Sequence, residues 1–152
     1  MEILKFNDDN KSEYKYFINK YNNVKEFYTL KVQTFDTEKK KIFLLVEKGV
    51  LKKYKIIAYA IIEEELKYLY ITNSISEEYL NDGTTIYISD FMVRRCSRKQ
   101  GIGTYLAKYL IEDVYRDKNI ILQPDGDGFL FWKKFNFKQD EISKNETWKK
   151  IN

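Results

Sequence analysis

The residues best suited to chemistry are consecutive: Arg98-Lys99-Gln100-Gly101-Ile102-Gly103-Thr104. Two full positive charges precede two glycines spaced one residue apart. A glycine has no side chain, so an anion can approach its backbone closely. If a helix opens at this point, its first N–H groups have no intrahelical acceptor and its dipole is positive there. The predicted ligand is a phosphate or pyrophosphate. The chain has four arginines, and Arg94, Arg95 and Arg98 are three of them. Guanidinium groups fork onto phosphate oxygens, and here they are concentrated in one turn. The plainer reading is a tight turn with a solvated basic rim.

Other glycine-rich loops do not match. A dinucleotide fingerprint needs a third glycine three residues after Gly103, where Leu106 stands, and the P-loop pattern is absent. The chain has no histidine, which removes histidine bases, triads and histidine metal sites. Its single cysteine, Cys96, cannot form an internal disulfide and fits a reducing compartment, so a cytoplasmic protein is expected. Cys96 has no histidine to activate it and reads as a turn residue rather than a nucleophile. Net charge is +4 with acids interspersed, modest for a dedicated nucleic-acid binder.

The elements that must position the loop can be read around it. Ile86 to Val93 is β-branched and aromatic, without Gly or Pro, and reads as a buried strand. After the glycines, Ile102, Leu106, Tyr109, Leu110 and Val114 make one helical stripe. Upstream, residues 1–7 read as a strand and Asp8-Asp9-Asn10 as capping side chains. Residues 11–21 form an amphipathic helix on Tyr14, Phe17, Ile18 and Tyr21. A less regular helix runs from Val24 towards Asp36-Thr37. Residues 41–48 and 54–63 hold the continuous apolar runs 42–46 and 56–62, hence buried strands. Glu63-Glu64-Glu65 ends the second run, either as a solvated strand end or as a group attracting a cationic amine. Residues 66–71 extend that strand or begin another, and Asn81-Asp82-Gly83 signals a turn. Residues 119–123 form a short strand, 129–135 one or two helical turns, and Phe137 and Glu146 onward two closing strands. No linker or repeat divides the 152 residues, so one domain is expected over 1–152. No window of about 18 apolar residues exists, so no membrane span is expected.

Strand, basic Arg/Gln-x-x-Gly-x-Gly turn and helix together resemble the acetyl-CoA signature of the GNAT superfamily of N-acetyltransferases. The order β-α-α-β-β-β-α-β-α-β-β matches that superfamily, as does Phe131-Trp132-Lys133-Lys134-Phe135-Asn136-Phe137. The resemblance covers roughly Lys41 to Phe137. It implies an α/β fold with a mixed, mostly antiparallel central sheet. It also implies acetyl-CoA as cosubstrate and no metal. Met92, Val93, Arg98, Lys99, Gln100, Gly101, Ile102, Gly103, Thr104 and Trp132 are the positions it implies for holding that cosubstrate. A bulge in the central strand, near Met92-Val93, is expected to expose backbone N–H groups. Two residues depart from the family pattern. Trp132 stands where a tyrosine acid is common, and Asn136 stands where glycine is common. Asn tolerates left-handed backbone, so the second change is mild.

The implied reaction is direct attack of an amine on a thioester. The carbonyl oxygen needs amide donors as charge develops. A lysine-like amine, pKa about 10.4, costs roughly 4–5 kcal/mol to hold neutral near pH 7. Asp90 on the central strand is the first candidate base, with Glu63 and Glu64 behind it. Strict alternation puts Asp90 on one face with Ile86 and Ile88, and a bulge would change that parity. The position that carries the base in histone-type members is Tyr87 here, a poor base. Trp132 can pack against the pantetheine arm or donate its N–H, but it cannot act as an acid. The acceptor could be a small amine, a protein amine or aminoacyl-tRNA, and a homodimer is possible. A second reading is a GNAT-like CoA-binding module without turnover. A third, nucleic-acid binding through Arg94 to Lys99, lacks interleaved aromatics as stacking platforms.

Overall fold

The computed structural model describes residues 1–22, 25–33, 35, 40–66, 84–140 and 147–151. Its elements are β1 (Glu2–Phe6), α1 (Lys11–Tyr21), α2 (Tyr28–Lys31), β2 (Lys40–Lys48), β3 (Tyr54–Glu63) and β4 (Thr85–Val93). Then come α3 (Ile102–Lys108), β5 (Asn119–Leu122), α4 (Gly128–Lys133), β6 (Phe137–Gln139) and β7 (Trp148–Lys150). Over the described residues the element order is the one the sequence predicts. The strands form one 7-stranded sheet in the order β1-β2-β3-β4-β5-β7-β6. Only β4 and β5 are parallel; every other neighbouring pair is antiparallel.

The middle strands are covered on both faces, which explains their unbroken apolar runs. Ile42, Leu44, Val46, Ile56, Tyr59 and Ile61 face a core closed by Tyr14 and Ile18 of α1 and by Phe27 and Leu30. Phe43, Leu45, Ile57, Ala60, Ile62, Ile86 and Ile88 face the other core, under Ile102, Leu106 and Leu110. Residues 56–62 of β3 are at most 1% exposed. Each such aliphatic side chain contributes about 1.5–3 kcal/mol relative to an exposed one.

Three local expectations are corrected. Asn7, not Asp8 or Asp9, caps the turn before α1, in a reciprocal pair with Asn10. The second helix is a 3-10 turn (Lys25–Phe27) leading into the four residues of α2. Its sequence holds aromatic and β-branched residues that crowd a helix, and among the described residues only the turns that bury Phe27 and Leu30 form. On α3 the helix widens into a π turn at Tyr109–Val114, with Tyr115 N–H donating to Leu110 C=O at 2.8 Å. The wider turn rotates the stripe, so Ile111 and Tyr115 are buried while Val114 is only half-buried. Residues 67–83, with the turn expected at 81–83, lie outside the described residues, as do Val24, Asp36, Thr37 and Glu146. Among the described residues, no helix is long and apolar enough to cross a membrane.

Candidate active site

The site begins where β4 leaves β5. Their pairing ends at Ile88↔Leu122. On the β3 side, Ile61 pairs with Asp90 and Ile62 with Ile88, so Ser89 is an extra residue, a β-bulge. A bulge bends its strand and increases the twist. On the β5 side, Pro124 follows Gln123 and has no N–H to extend a ladder. Arg94 N–H donates to Ile57 C=O at 2.7 Å. By alternation, the N–H groups of Asp90, Met92 and Arg94 point at β3, and those of Phe91 and Val93 point into the gap left by β5. The bulge therefore lies at Ser89, earlier than the expected Met92-Val93. Of those two residues, Val93 alone turns its N–H to the gap.

The bulge also changes the side-chain parity. Phe91 and Val93 pack with Ile86 and Ile88 against the α3 core, whereas Met92 packs against the α1/α2 core. Asp90 thus shares a face with Met92 and the phenol of Tyr59, opposite to Ile86 and Ile88. Strict alternation gives the wrong face because the strand carries one residue too many.

The loop after β4 is tied to the strand it leaves. Arg98 Nε donates to Val93 C=O at 3.0 Å. Lys99 and Gly101 have positive φ, 62° and 78°. A Cβ at Gly101 would meet nothing within 4 Å, so its backbone faces open space. Gly103 has a different reason to be glycine. A Cβ there would lie 3.2 Å from Val93 Cγ2 and 3.3 Å from Phe131 Cε2. Its missing side chain lets the helix abut the strand, a second reason for glycine beside the anion access expected of it. The first α-helical bond runs from Tyr105 N–H to Gly101 C=O, 2.9 Å. The amides of Ile102, Gly103 and Thr104 therefore lack a helical acceptor. The Ile102 side chain is buried in the core, so that residue can offer only its amide. Gln100, Arg98 and Lys99 are exposed around the same opening.

Asp90 lies on the opposite, α1/α2 face with Glu63 near it, whereas Glu64 lies by Tyr115 on the α3 side. Asp90 Oδ2 accepts from Tyr59 Oη–H at 2.6 Å, and Asp90 Oδ1 accepts from Phe91 N–H at 2.9 Å. Tyr59 is fully buried against Phe27, ring centroids 5.1 Å apart. Burial first, then the bond to Asp90 and its charge, push the Tyr59 phenol well above its usual range. Tyr87 is also pushed up, by burial and then by the charges of Glu63 and Asp90. Glu63 lies 3.4 Å from Lys40 Nζ, and Glu64 lies 2.8 Å from Lys41 Nζ. Those two carboxylates are paired across β2 and β3 rather than solvated.

Trp132 is buried, 5% exposed. It packs edge-on to Phe91 at 5.0 Å and to Phe137 at 5.3 Å. Asn136 has φ 63°, the left-handed backbone expected where relatives place glycine. Three residues of this site escape sequence reasoning: Tyr59, Phe131 and Glu26. Tyr59 does leave a signal, as the one polar-tipped side chain in the apolar run 56–62. The positions of Phe131 and Glu26 depend on tertiary packing.

The sequence matches the acetyltransferase (GNAT) family over residues 6–127. The chain belongs to this family. No curated protein sequence matches it. Solved structures share the fold of this acetyltransferase-family chain at low identity. A structure of AtaTR bound with AcCoA is 10% identical, with TM-score 0.61, covering 97% of this chain and 92% of that one. AtaT complexed with acetyl-methionyl-tRNAfMet is 10% identical, with TM-score 0.58, covering 97% and 94%. A KacTA–DNA complex is 12% identical, with TM-score 0.56, covering 97% and 92%.

Proposed function

We propose that this GNAT-family chain transfers the acetyl group of acetyl-CoA to a primary amine by direct attack. One observation carries the reading: β4 parts from β5 directly before a basic loop with open backbone at Gly101. The residues fit the cosubstrate. The amides of Ile102, Gly103 and Thr104, with Arg98 and Lys99, would hold the pyrophosphate. Val93 N–H, turned into the gap, would donate to the acyl oxygen as negative charge develops there. The thioester supplies the acyl group and a good leaving thiol, since thiols ionise near pKa 8.5. On the opposite face Asp90 would meet the amine, drawing it in while charged and accepting its proton directly or through water.

The acceptor classes are a small amine, a protein amine and aminoacyl-tRNA. The AtaT complex makes the last a necessary member of any panel. Acetyl-CoA consumption against that panel, with binding measured in parallel by calorimetry, tests the proposal. No binding would sink it.

A second reading is favoured by Trp132. A buried indole in place of a phenol leaves the departing thiol without the usual acid, as in a CoA-binding module without turnover. Binding without consumption of acetyl-CoA across the panel would select it.

A further inference from the structure

Parting β4 from β5 turns two backbone donors to the gap, Phe91 N–H and Val93 N–H, and an acyl oxygen needs a donor that is aimed and unblocked. The two are treated differently. Phe91 N–H is taken by Asp90 Oδ1 at 2.9 Å. That carboxylate is itself held from the other side by Tyr59 Oη–H at 2.6 Å. Tyr59 is fully buried and wedged against Phe27, so its hydroxyl has one position. We infer that Tyr59 is a positioning residue for acyl transfer, acting through Asp90 to close off Phe91 N–H and leave Val93 N–H as the donor offered at the gap. The inference rests on the acetyl-transfer reading for its purpose, and on geometry alone for the selection of the amide.

The chemistry of the pair supports this. Burial and the neighbouring charge keep the Tyr59 phenol protonated, so it is always a donor. A carboxylate has about four lone-pair sites, and two are used here. The rest can still meet a cationic amine on the α1/α2 face. One side chain thereby serves both reactants: it orders the strand that binds the acyl group and presents charge to the acceptor. The bulge at Ser89 makes this possible, because it moves Asp90 to the Tyr59 face.

Amide hydrogen exchange by NMR on the resting protein tests the geometry without any activity. Phe91 should exchange slowly and Val93 rapidly in the wild type. Tyr59→Phe keeps the ring and removes the hydroxyl. It should speed Phe91 exchange about tenfold or more. Asp90→Ala should do the same, and the double variant should add nothing. Asp90→Asn, which keeps the Oδ1 acceptor, should retain most of the protection. Kinetics then test the purpose. Tyr59→Phe should lower kcat about tenfold with acetyl-CoA affinity within about twofold, and should have no further effect in the Asp90→Ala background. Unchanged Phe91 exchange in Tyr59→Phe, or losses that multiply in the double variant, would overturn the inference. Failure of the acetyl-transfer reading is seen separately, as Val93 staying unprotected when acetyl-CoA is added, or as wild-type protein that binds acetyl-CoA and consumes none with any amine of the panel.

Discussion

Arg98 Nε donates to the carbonyl oxygen of Val93 at 3.0 Å, folding the side chain of the basic loop back onto the end of the central strand. The same residue, Val93, turns its N–H to the gap. The loop that would hold phosphate and the amide that would hold the acyl oxygen are therefore joined by one bond. Arg98→Lys keeps the charge but loses the Nε donor and the planar fork. It should weaken acetyl-CoA binding about five- to tenfold in calorimetry. Arg98→Ala should weaken it further, while binding of a pantetheine fragment without phosphates falls less. Equal losses for both ligands would mean that Arg98 does not read phosphate.

Gly101 and Gly103 should respond differently to substitution. Gly101 has φ 78° over open space. Gly101→Ala should therefore cost about 1 kcal/mol of backbone strain and still fold. Gly101→Glu should abolish acetyl-CoA binding, because its carboxylate would repel the phosphates. Gly103→Ala would drive a methyl towards Val93 and Phe131, and should destabilise the fold by about 1–3 kcal/mol. Phe131→Leu should restore part of that loss. Thermal unfolding and calorimetry on the same samples separate strain from lost binding.

The fold was largely legible because its strands are marked by composition. Residues 42–46 and 56–62 are unbroken apolar runs, and covered middle strands require such runs. The turn at the glycines was legible because a left-handed position such as Gly101, φ 78°, admits few other residue types. The face of Asp90 was not legible. A single extra residue at Ser89 inverts the parity, and nothing in Ile88-Ser89-Asp90 announces it. The π turn on α3 was hidden for the same reason, since one added residue per turn shifts a stripe without changing composition. The role of Gly103 needed a neighbour, Phe131, from 28 positions further along the chain.

Glu26 Oε1 accepts from Arg95 N–H at 3.0 Å, joining the turn before α2 to the basic loop across 69 positions of sequence. The charged acceptor makes this bond stronger than a neutral one. Glu26→Gln should keep most of the loop order, and Glu26→Ala should lose it. Hydrogen exchange at Arg95 should rise in Glu26→Ala, and acetyl-CoA affinity should fall by a few fold. An unchanged Arg95 amide would show that the loop holds itself.

Asp90→Asn preserves the shape and the Oδ1 acceptor but removes the charge. It should lower turnover at pH 7 and leave acetyl-CoA affinity nearly intact. If the rate is unchanged across pH, Asp90 is structural alone, and the amine arrives neutral or meets Glu63.

Trp132 gives the sharpest test of whether this chain turns over. Its indole is buried, edge-on to Phe91 and to Phe137. The Cδ1 and Nε1 atoms lie beside Gly128 of its own helix, 3.8 and 3.9 Å from where a Cβ would stand. The ring thus packs under the central strand, and its donor edge is turned to α4. Trp132→Phe should cost stability, about 1–3 kcal/mol from the volume lost, and should loosen Phe91 with it. Trp132→Tyr loses part of the same packing but adds a phenol where relatives commonly place an acid. General acids are typically worth about 10²–10⁴-fold, and least where the leaving group is already acidic, as a thiol is. Turnover of a good amine should therefore rise by up to about tenfold in Trp132→Tyr, despite a lower Tm. A Trp132→Tyr variant that binds acetyl-CoA and stays inert towards every amine would make the non-catalytic module the better reading.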